Sequence, residues 1–358
     1  MNLFLILLNY FSFIYSISIE YKNLFNWIIN SNGFISNKIS IKENNKNNRF
    51  LFANKKILKY EEIIKINNIN IISILNSKIK QKCLKYLLNN NSNFDFDCIL
   101  LFFSLDKKNK NSFFNSYYNF FPVLNYEKIP LFYSKQQINK INFLNELIEF
   151  TNITNININK TYQKNFFNKN ISYEEFKLNY YLIISRNFVL KNNILSNINC
   201  LVPFLDLINH QNNYNSFYNF DYNSNTFILY AIRDIQINEE ITISYGKLNN
   251  IELFNYYGFT LKNNQFKFNL ILKIKEIKIV LDGYVFDEEI LLAIDKIKYK
   301  YKINNKNALN LIKNELYNNR QILFENMYKN DDVNIINIIK DKIDIIDEYL
   351  KIINKIKV

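Results

Sequence analysis

Scarcity marks this sequence before anything else does. Its 358 residues include one His, one Trp, three Pro, three Cys, four Gly and four Arg. The cysteines, Cys83, Cys98 and Cys200, form no Cys-x-x-Cys pair and lie far apart. That excludes a disulfide framework and a structural zinc site, so buried thiols are expected and no metal is assigned. Lys outnumbers Arg 41 to 4. The net charge of +13 invites a nucleic-acid partner, but the lysines are scattered and Arg, the better reader of bases and phosphates, is nearly absent. A solvated Lys-rich surface and no nucleic acid is the reading. Beyond residue 18 no apolar run is long enough to span a membrane.

Asn, Ile, Lys, Phe and Tyr dominate what is present, a set favoured by AT-rich coding. Residues that persist against such a bias are candidates for a task. They gather between Leu201 and Phe259, which holds the only His, two of the four Gly, one Pro and Arg233, with Arg186 just upstream. Hydrophobic residues make up 48% and aromatics 16%, enough for a packed core. The length allows two or three domains.

Along the chain, residues 1–18 are almost wholly apolar and uncharged. They suit the h-region of a secretory signal, or else a buried N-terminal helix. A secretory route, or a plastid reached through it, follows from the first reading, and a cytoplasmic location from the second. Leu24, Trp27 and Ile28 before Gly33 predict a helix with a glycine cap. Short β patterns follow at Lys38–Ile41, Phe50–Ala53 and Glu62–Ile66, with a polar turn from Lys42 to Arg49. From about 70 to 195 the pattern is mainly helical. Cys98–Leu105 suits a buried helix, and Ile138, Ile141, Leu144, Leu147 and Ile148 an amphipathic one. Glu174–Phe188 reads as a third helix, and the Asn-rich patch Asn152–Asn159 as a surface loop. Ser216–Tyr222 and Thr226–Ile232 predict a hairpin, Ile241–Tyr245 a short strand, and 266–280 more strand. Helix runs from there on, with an apolar stripe at Ile335, Ile339, Ile343, Ile346, Leu350 and Ile353.

The central stretch carries a resemblance. Pro203, Asp206, Asn209 and His210 make a Pro-x-x-Asp-x-x-Asn-His box, and Tyr245-Gly246 follows 35 residues after His210. This resembles the C-terminal half of a SET domain, with Asn238 where the family often has Gly. Trp27 and Gly33, the run Ser112–Phe121, Ser185-Arg186-Asn187-Phe188 and Tyr257-Gly258-Phe259 are similar, in order, to the Rubisco large-subunit methyltransferase class of SET proteins. The fold implied is α+β: a SET fold of small β-sheets with a pseudo-knot, interrupted by a helical insert and followed by a helical C-terminal lobe. The boundaries expected are 1–18 for the leader, 19–69 and 191–262 for the two parts of the SET core, 70–190 for the insert and 263–358 for the lobe.

The resemblance implies a protein-lysine N-methyltransferase using S-adenosylmethionine on a non-histone protein, acting as a monomer. Asn209 and His210 would hold the cofactor, and Arg186 would pair with its carboxylate, since a guanidinium suits a carboxylate fork. Asp206 and Arg186 would lie on the substrate side. Tyr245 would stand beside the transferring methyl as the catalytic residue and also orient the amine. Tyr257 would line the lysine channel. A phenol is a poor base near neutral pH, so the lysine would lose its proton to solvent, helped by desolvation and the sulfonium charge. The sequence departs from the family at its Gly-x-Gly element, where Asn48-Arg49-Phe50 stands. Asn47, Asn48 and Arg49 are expected to supply backbone contacts there. That departure keeps open a SET-type binding module without catalysis, and the wider class keeps open a protein-histidine methyltransferase.

Overall fold

The computed structural model describes residues 19–43, 49–84, 94–121, 126–165, 170–190 and 198–356. The expected leader at 1–18 and the turn residues Asn47 and Asn48 lie outside them. In chain order, α1 (19–30) leads to strands β1 (Phe34–Ile35), β2 (Ile39–Glu43), β3 (Arg49–Ala53), β4 (Glu62–Asn67) and β5 (Ile72–Ser73). Helices α2 (Ser77–Leu84), α3 (Phe94–Asp106), α4 (Asn115–Tyr118), α5 (Lys135–Lys140), α6 (Asn145–Asn165) and α7 (Tyr173–Ile184) follow. Then come β6 (Asn187–Leu190), β7 (Ile198–Leu201), β8 (Asn209–His210), β9 (Ser216–Asp221), β10 (Thr226–Ala231) and β11 (Thr242–Ile243). After α8 (Asn250–Tyr257) lie β12 (Leu270–Ile274), β13 (Ile277–Leu281), α9 (Asp287–Tyr301), α10 (Asn305–Met327) and α11 (Val333–Lys355).

The described residues form two compact units. One takes in those lying within 19–121 and 158–245, the other those within 126–157 and 246–356. In the first, β1, β4, β10 and β9 make an antiparallel sheet in that order, β5, β7 and β6 a second, and β2 and β3 a pair. Alternation explains the larger sheet: Phe227, Leu229 and Ala231 of β10 are fully buried on one face, while Ile228 and Tyr230 are not. The β9–β10 hairpin turns at Asn225, whose φ of 50° is the left-handed conformation that Asn tolerates. Gly33 ends α1 at a spot closed to side chains: a Cβ there would lie 2.5 Å from Ile28 Cγ2 and 2.8 Å from the Ile28 carbonyl oxygen.

The second unit is built around one apolar core. The stripe on α11, from Ile335 to Ile353, packs with Leu270, Leu272 and Leu281 of the β12–β13 hairpin, with Ile290 and Ile294 of α9, with Ile312 and Leu316 of α10, and with Leu144 and Leu147. At its centre the Lys342 ammonium, wholly buried, pairs with Glu146 at 2.8 Å, and Glu146 also accepts the Ile271 N–H. A buried charge is tolerable only when paired and hydrogen-bonded in this way.

Several elements differ from the sequence pattern. Asn152–Asn159 is helix and not a surface loop: it lies within α6, where Leu147, Thr151, Thr154, Ile158 and Tyr162 are buried at steps of three and four. That stripe outweighs the indifferent helix propensity of Asn. The expected helix over 138–148 is two helices, parted by a turn at 141–144. Ile72 belongs to a strand, and the helix begins only at Ser77. Helix α7 stops at Ile184, and Asn187 and Phe188 turn into β6, paired with β7. The strand expected at Ile241–Tyr245 covers only Thr242–Ile243.

The cysteines are also corrected. Cys83 of α2 and Cys98 of α3 form a disulfide with their Cα atoms 5.4 Å apart, and Cys200 alone is a free, buried thiol. Helix packing brings together two residues whose sequence spacing carried no motif.

Candidate active site

The box hangs from β7. Val202, Pro203 and Phe204 are buried, a single 3-10 turn covers Leu205–Leu207, and β8 follows at once. Phe204 takes φ 73°, ψ −39°, a left-handed conformation costly for a bulky residue, on the order of 1–3 kcal/mol. Complete burial of its ring, with Tyr21 packed 5.8 Å away between centroids, opposes that cost. The sharp reversal lets Asp206, Asn209 and His210 reach three different partners within a few residues.

Strand β8 runs parallel to β11, Asn209 opposite Thr242 and His210 opposite Ile243. This pairing brings the two halves of the motif together. The backbone N–H of Tyr245 donates to His210 Nδ1 at 3.1 Å. An N–H can only donate, so Nδ1 accepts and the imidazole proton sits on Nε2. The Ile243 carbonyl, 3.4 Å from the same nitrogen, is then a close neighbour and not a partner. Burial holds the His210 pKa below its ordinary value, consistent with a neutral ring. The His210 and Tyr245 rings stack with centroids 5.2 Å apart and planes at 25°. The Tyr245 hydroxyl donates to the Ile208 carbonyl at 2.8 Å.

Asn209 turns the other way. Its amide nitrogen donates to Glu240 Oε1 at 2.8 Å and to the Arg49 carbonyl at 3.3 Å. Arg49 opens β3, so this one side chain ties the box to the strand after the missing Gly-x-Gly. The Arg49 guanidinium is committed elsewhere: it donates to the Phe120 carbonyl at 2.5 Å, lies 4.3 Å from the Phe120 ring centroid, and is within 4.0 Å of Glu43 and Glu20. Burial raises the Glu240 pKa, opposed by the Asn209 hydrogen bond.

A third group lies under the box. Arg186, in the turn after α7, donates through Nη1 to the Asp206 carbonyl at 3.0 Å and to its carboxylate at 3.3 Å. The same carboxylate oxygen accepts the Tyr117 hydroxyl at 3.0 Å. Burial pushes the Asp206 carboxyl above its usual range, against the pull of Arg186 and Tyr117. Burial likewise drives the Tyr117 phenol well above its ordinary value, with the Asp206 charge adding to it. Arg186 therefore pairs with Asp206 here, a contact between two residues that the sequence had set on the substrate side without linking them. Among the described residues its Nε is buried without a hydrogen-bond partner.

One residue that sequence reasoning passed over, Asn215, helps to hold this site in place. Asn215 is 1% exposed and fully used: its amide nitrogen donates to Glu239 and the Glu240 carbonyl, and its amide oxygen accepts the Thr242 N–H. It fixes the stretch before β11. Asn238 sits at φ 64° and donates its backbone N–H to the Ala53 carbonyl at 2.8 Å; Asn is a workable replacement for Gly at such a position. Asn215 carries no sequence signal in so Asn-rich a chain. Tyr257 belongs to the other unit, as the last residue of α8, which Gly258 terminates at φ 77°. A cleft of about 370 Å³ lined by Lys78, Lys82, Phe102, Asp106, Phe113 and others contains none of the candidate site residues, and the candidate site is argued from the motif geometry instead.

A model of the SET domain family matches residues 48–246. The chain belongs to the SET domain family. The matched span runs from Asn48 to Gly246 and includes the box, Arg186 and Tyr245. Among solved structures, this SET protein is similar to Rubisco LSMT bound to AdoMet, at 14% identity and TM-score 0.63, covering 93% of this chain and 91% of that one. It is also similar to the LSMT SET domain bound to lysine and AdoHcy, at 12% identity and TM-score 0.64, covering 95% and 92%. A third structure, Rubisco LSMT bound to sinefungin and monomethyllysine, aligns at 13% identity and TM-score 0.64, covering 94% and 92%. These likenesses establish the fold expected from the motifs. No curated protein matches the chain by sequence.

Proposed function

We propose that the chain is an S-adenosylmethionine-dependent protein-lysine N-methyltransferase acting on a non-histone protein. The observation that carries this is the disposition of Tyr245. Its backbone is held by the one His of the chain and its hydroxyl proton is directed at the Ile208 carbonyl. A phenol oxygen so arranged offers lone pairs, the polarity that accepts an amine N–H and orients it. Bound S-adenosylmethionine would supply a methyl already activated by its sulfonium. What remains for the protein is to position the amine, keep it neutral and exclude water.

The residues present fit the cofactor in one respect that can be named. The buried Nε of Arg186 has a hydrogen to donate and no partner among the described residues, and a carboxylate would satisfy it. Asn209 and His210 would contribute through β8. Arg49, whose guanidinium is held by the Phe120 carbonyl and lies within 4.0 Å of two glutamates, would contribute its backbone, beside Asn47 and Asn48. The likeness to LSMT structures bound to AdoMet, and to lysine and AdoHcy, supports this reading. The absence of the Gly-x-Gly element, with Asn48-Arg49-Phe50 in its place, favours the second reading, a SET-type binding module.

Isothermal titration with S-adenosylmethionine decides between them. Saturable binding, with labelled methyl transferred to proteins of a lysate on lysine, is expected; no binding at millimolar cofactor sinks the enzyme. Label found on histidine would move the assignment to protein-histidine methyltransferase. We also infer passage through an oxidising compartment, supported by the Cys83–Cys98 disulfide, since such bonds persist there. A fusion of residues 1–30 to a fluorescent protein that stayed cytosolic would remove this part.

A further inference from the structure

We propose that Tyr117, contributed by the helical segment between the two halves of the SET core, is a positioning residue that holds the Asp206 carboxylate and, through it, Arg186. The role given to Arg186 rests on the transferase reading above; the contact itself does not. Tyr117 comes from α4, 89 residues before Asp206, and is 2% exposed. Its hydroxyl and Arg186 Nη1 converge on the same carboxylate oxygen, at 3.0 and 3.3 Å. Phe121 packs against both: its ring centroid lies 4.8 Å from that of Tyr117 and 5.3 Å from the Arg186 guanidinium.

A carboxylate can turn about its Cβ–Cγ bond, and a guanidinium bonded to it turns with it. Two donors on one oxygen, one from a short helix and one from the turn after α7, remove that freedom. The charged and titratable groups facing Asp206 are Arg186 and Tyr117, with Tyr118 acting on Tyr117 from the next position. Without the Tyr117 hydroxyl, a buried anion keeps one side-chain donor. It is then easier to protonate, and Arg186 loses its fixed orientation.

Tyr118 supplies a matched comparison. It is the neighbouring residue of α4, 6% exposed, and its hydroxyl donates at 3.0 Å to a carboxylate, but to that of Asp106. Removing its hydroxyl perturbs the same helix without touching Asp206.

The experiment takes the full chain as wild type, Tyr117→Phe and Tyr118→Phe, and makes two measurements. The Asp206 carboxyl is followed by carbon NMR across pH, and S-adenosylmethionine affinity is followed by titration calorimetry. In Tyr117→Phe the Asp206 titration is expected to move to higher pH and cofactor affinity to fall about tenfold, the loss of one hydrogen bond to a charged group. Tyr118→Phe is expected to leave both unchanged. An unmoved Asp206 titration in Tyr117→Phe, or equal movement in both variants, overturns the proposal. A shifted titration in a protein whose wild type binds no cofactor supports the positioning contact and sinks the transferase. Should Tyr117→Phe fail to fold, Asp206→Asn replaces it: it removes the anion that orients Arg186 and is expected to weaken cofactor binding by a similar factor. Unchanged affinity there overturns the idea.

Discussion

The backbone N–H of Tyr245 is bonded to Nδ1 of His210, which makes a side-chain proton and a main-chain conformation depend on each other. The imidazole must be neutral with its hydrogen on Nε2 for the bond to exist. His210 is the only histidine, so nitrogen-labelled histidine gives one unambiguous ring signal. The expected spectrum is that of the Nε2–H tautomer, titrating below the ordinary 6.5, because burial disfavours the charged ring. A midpoint at or above 6.5 would contradict the geometry.

Tyr245→Phe removes the hydroxyl bound to Ile208 and leaves the backbone bond to His210. If the phenol oxygen orients the amine, methyl incorporation into a lysate or peptide array is expected to drop roughly 100-fold, the scale of a misplaced reacting group. The variant should melt within a few degrees of wild type. Equal labelling by both would displace Tyr245 from the site.

The disulfide predicts a thiol count. Denatured without reductant, the protein should show one reactive thiol, Cys200, and with reductant three. Cys83→Ser is expected to lower stability by about 2–4 kcal/mol, the usual range for a closed loop of this size, read as a lower midpoint in denaturant. Native Cys200 should resist thiol reagents, since burial raises its pKa and hides it.

Asp341 sets a pH dependence in the second unit. Its carboxyl is bonded to Asn250 and lies 3.6 Å from Lys267. Burial nevertheless raises its pKa to about 6 from 3.8. In that window the folded state binds the proton and the unfolded state does not, so stability falls as pH rises from about 4 to 6 and stays lower above. Asp341→Asn should flatten this segment of the stability curve, by roughly 1–3 kcal/mol between its ends. Parallel curves for the two proteins would refute the assignment.

How much of this was legible beforehand depended on what kind of signal each residue leaves. The box, Tyr245 and Arg186 were readable because scarce residues stood at fixed spacings. The α11 stripe was readable because a 3.6-residue period survives any composition. Asn215 and the Asn-rich part of α6 were not, since Asn is too common here to signal anything and their placement follows from burial. Tyr117 was one of 26 tyrosines, and only the fold could show that its hydroxyl reaches a carboxylate 89 residues away. The Cys83–Cys98 bond was hidden for the same reason: two helices had to pack first.

The Glu146–Lys342 pair closes across 196 residues of chain. On a ribosome adding about 5–20 residues per second, that interval lasts roughly 10–40 s. Throughout it Glu146 has no ammonium to meet, and Leu144 and Leu147 have no α11 to cover them. The second unit therefore cannot assemble piecemeal as the chain emerges. It waits, partly bare, for its final helix, and during that wait the nascent chain is most in need of a chaperone.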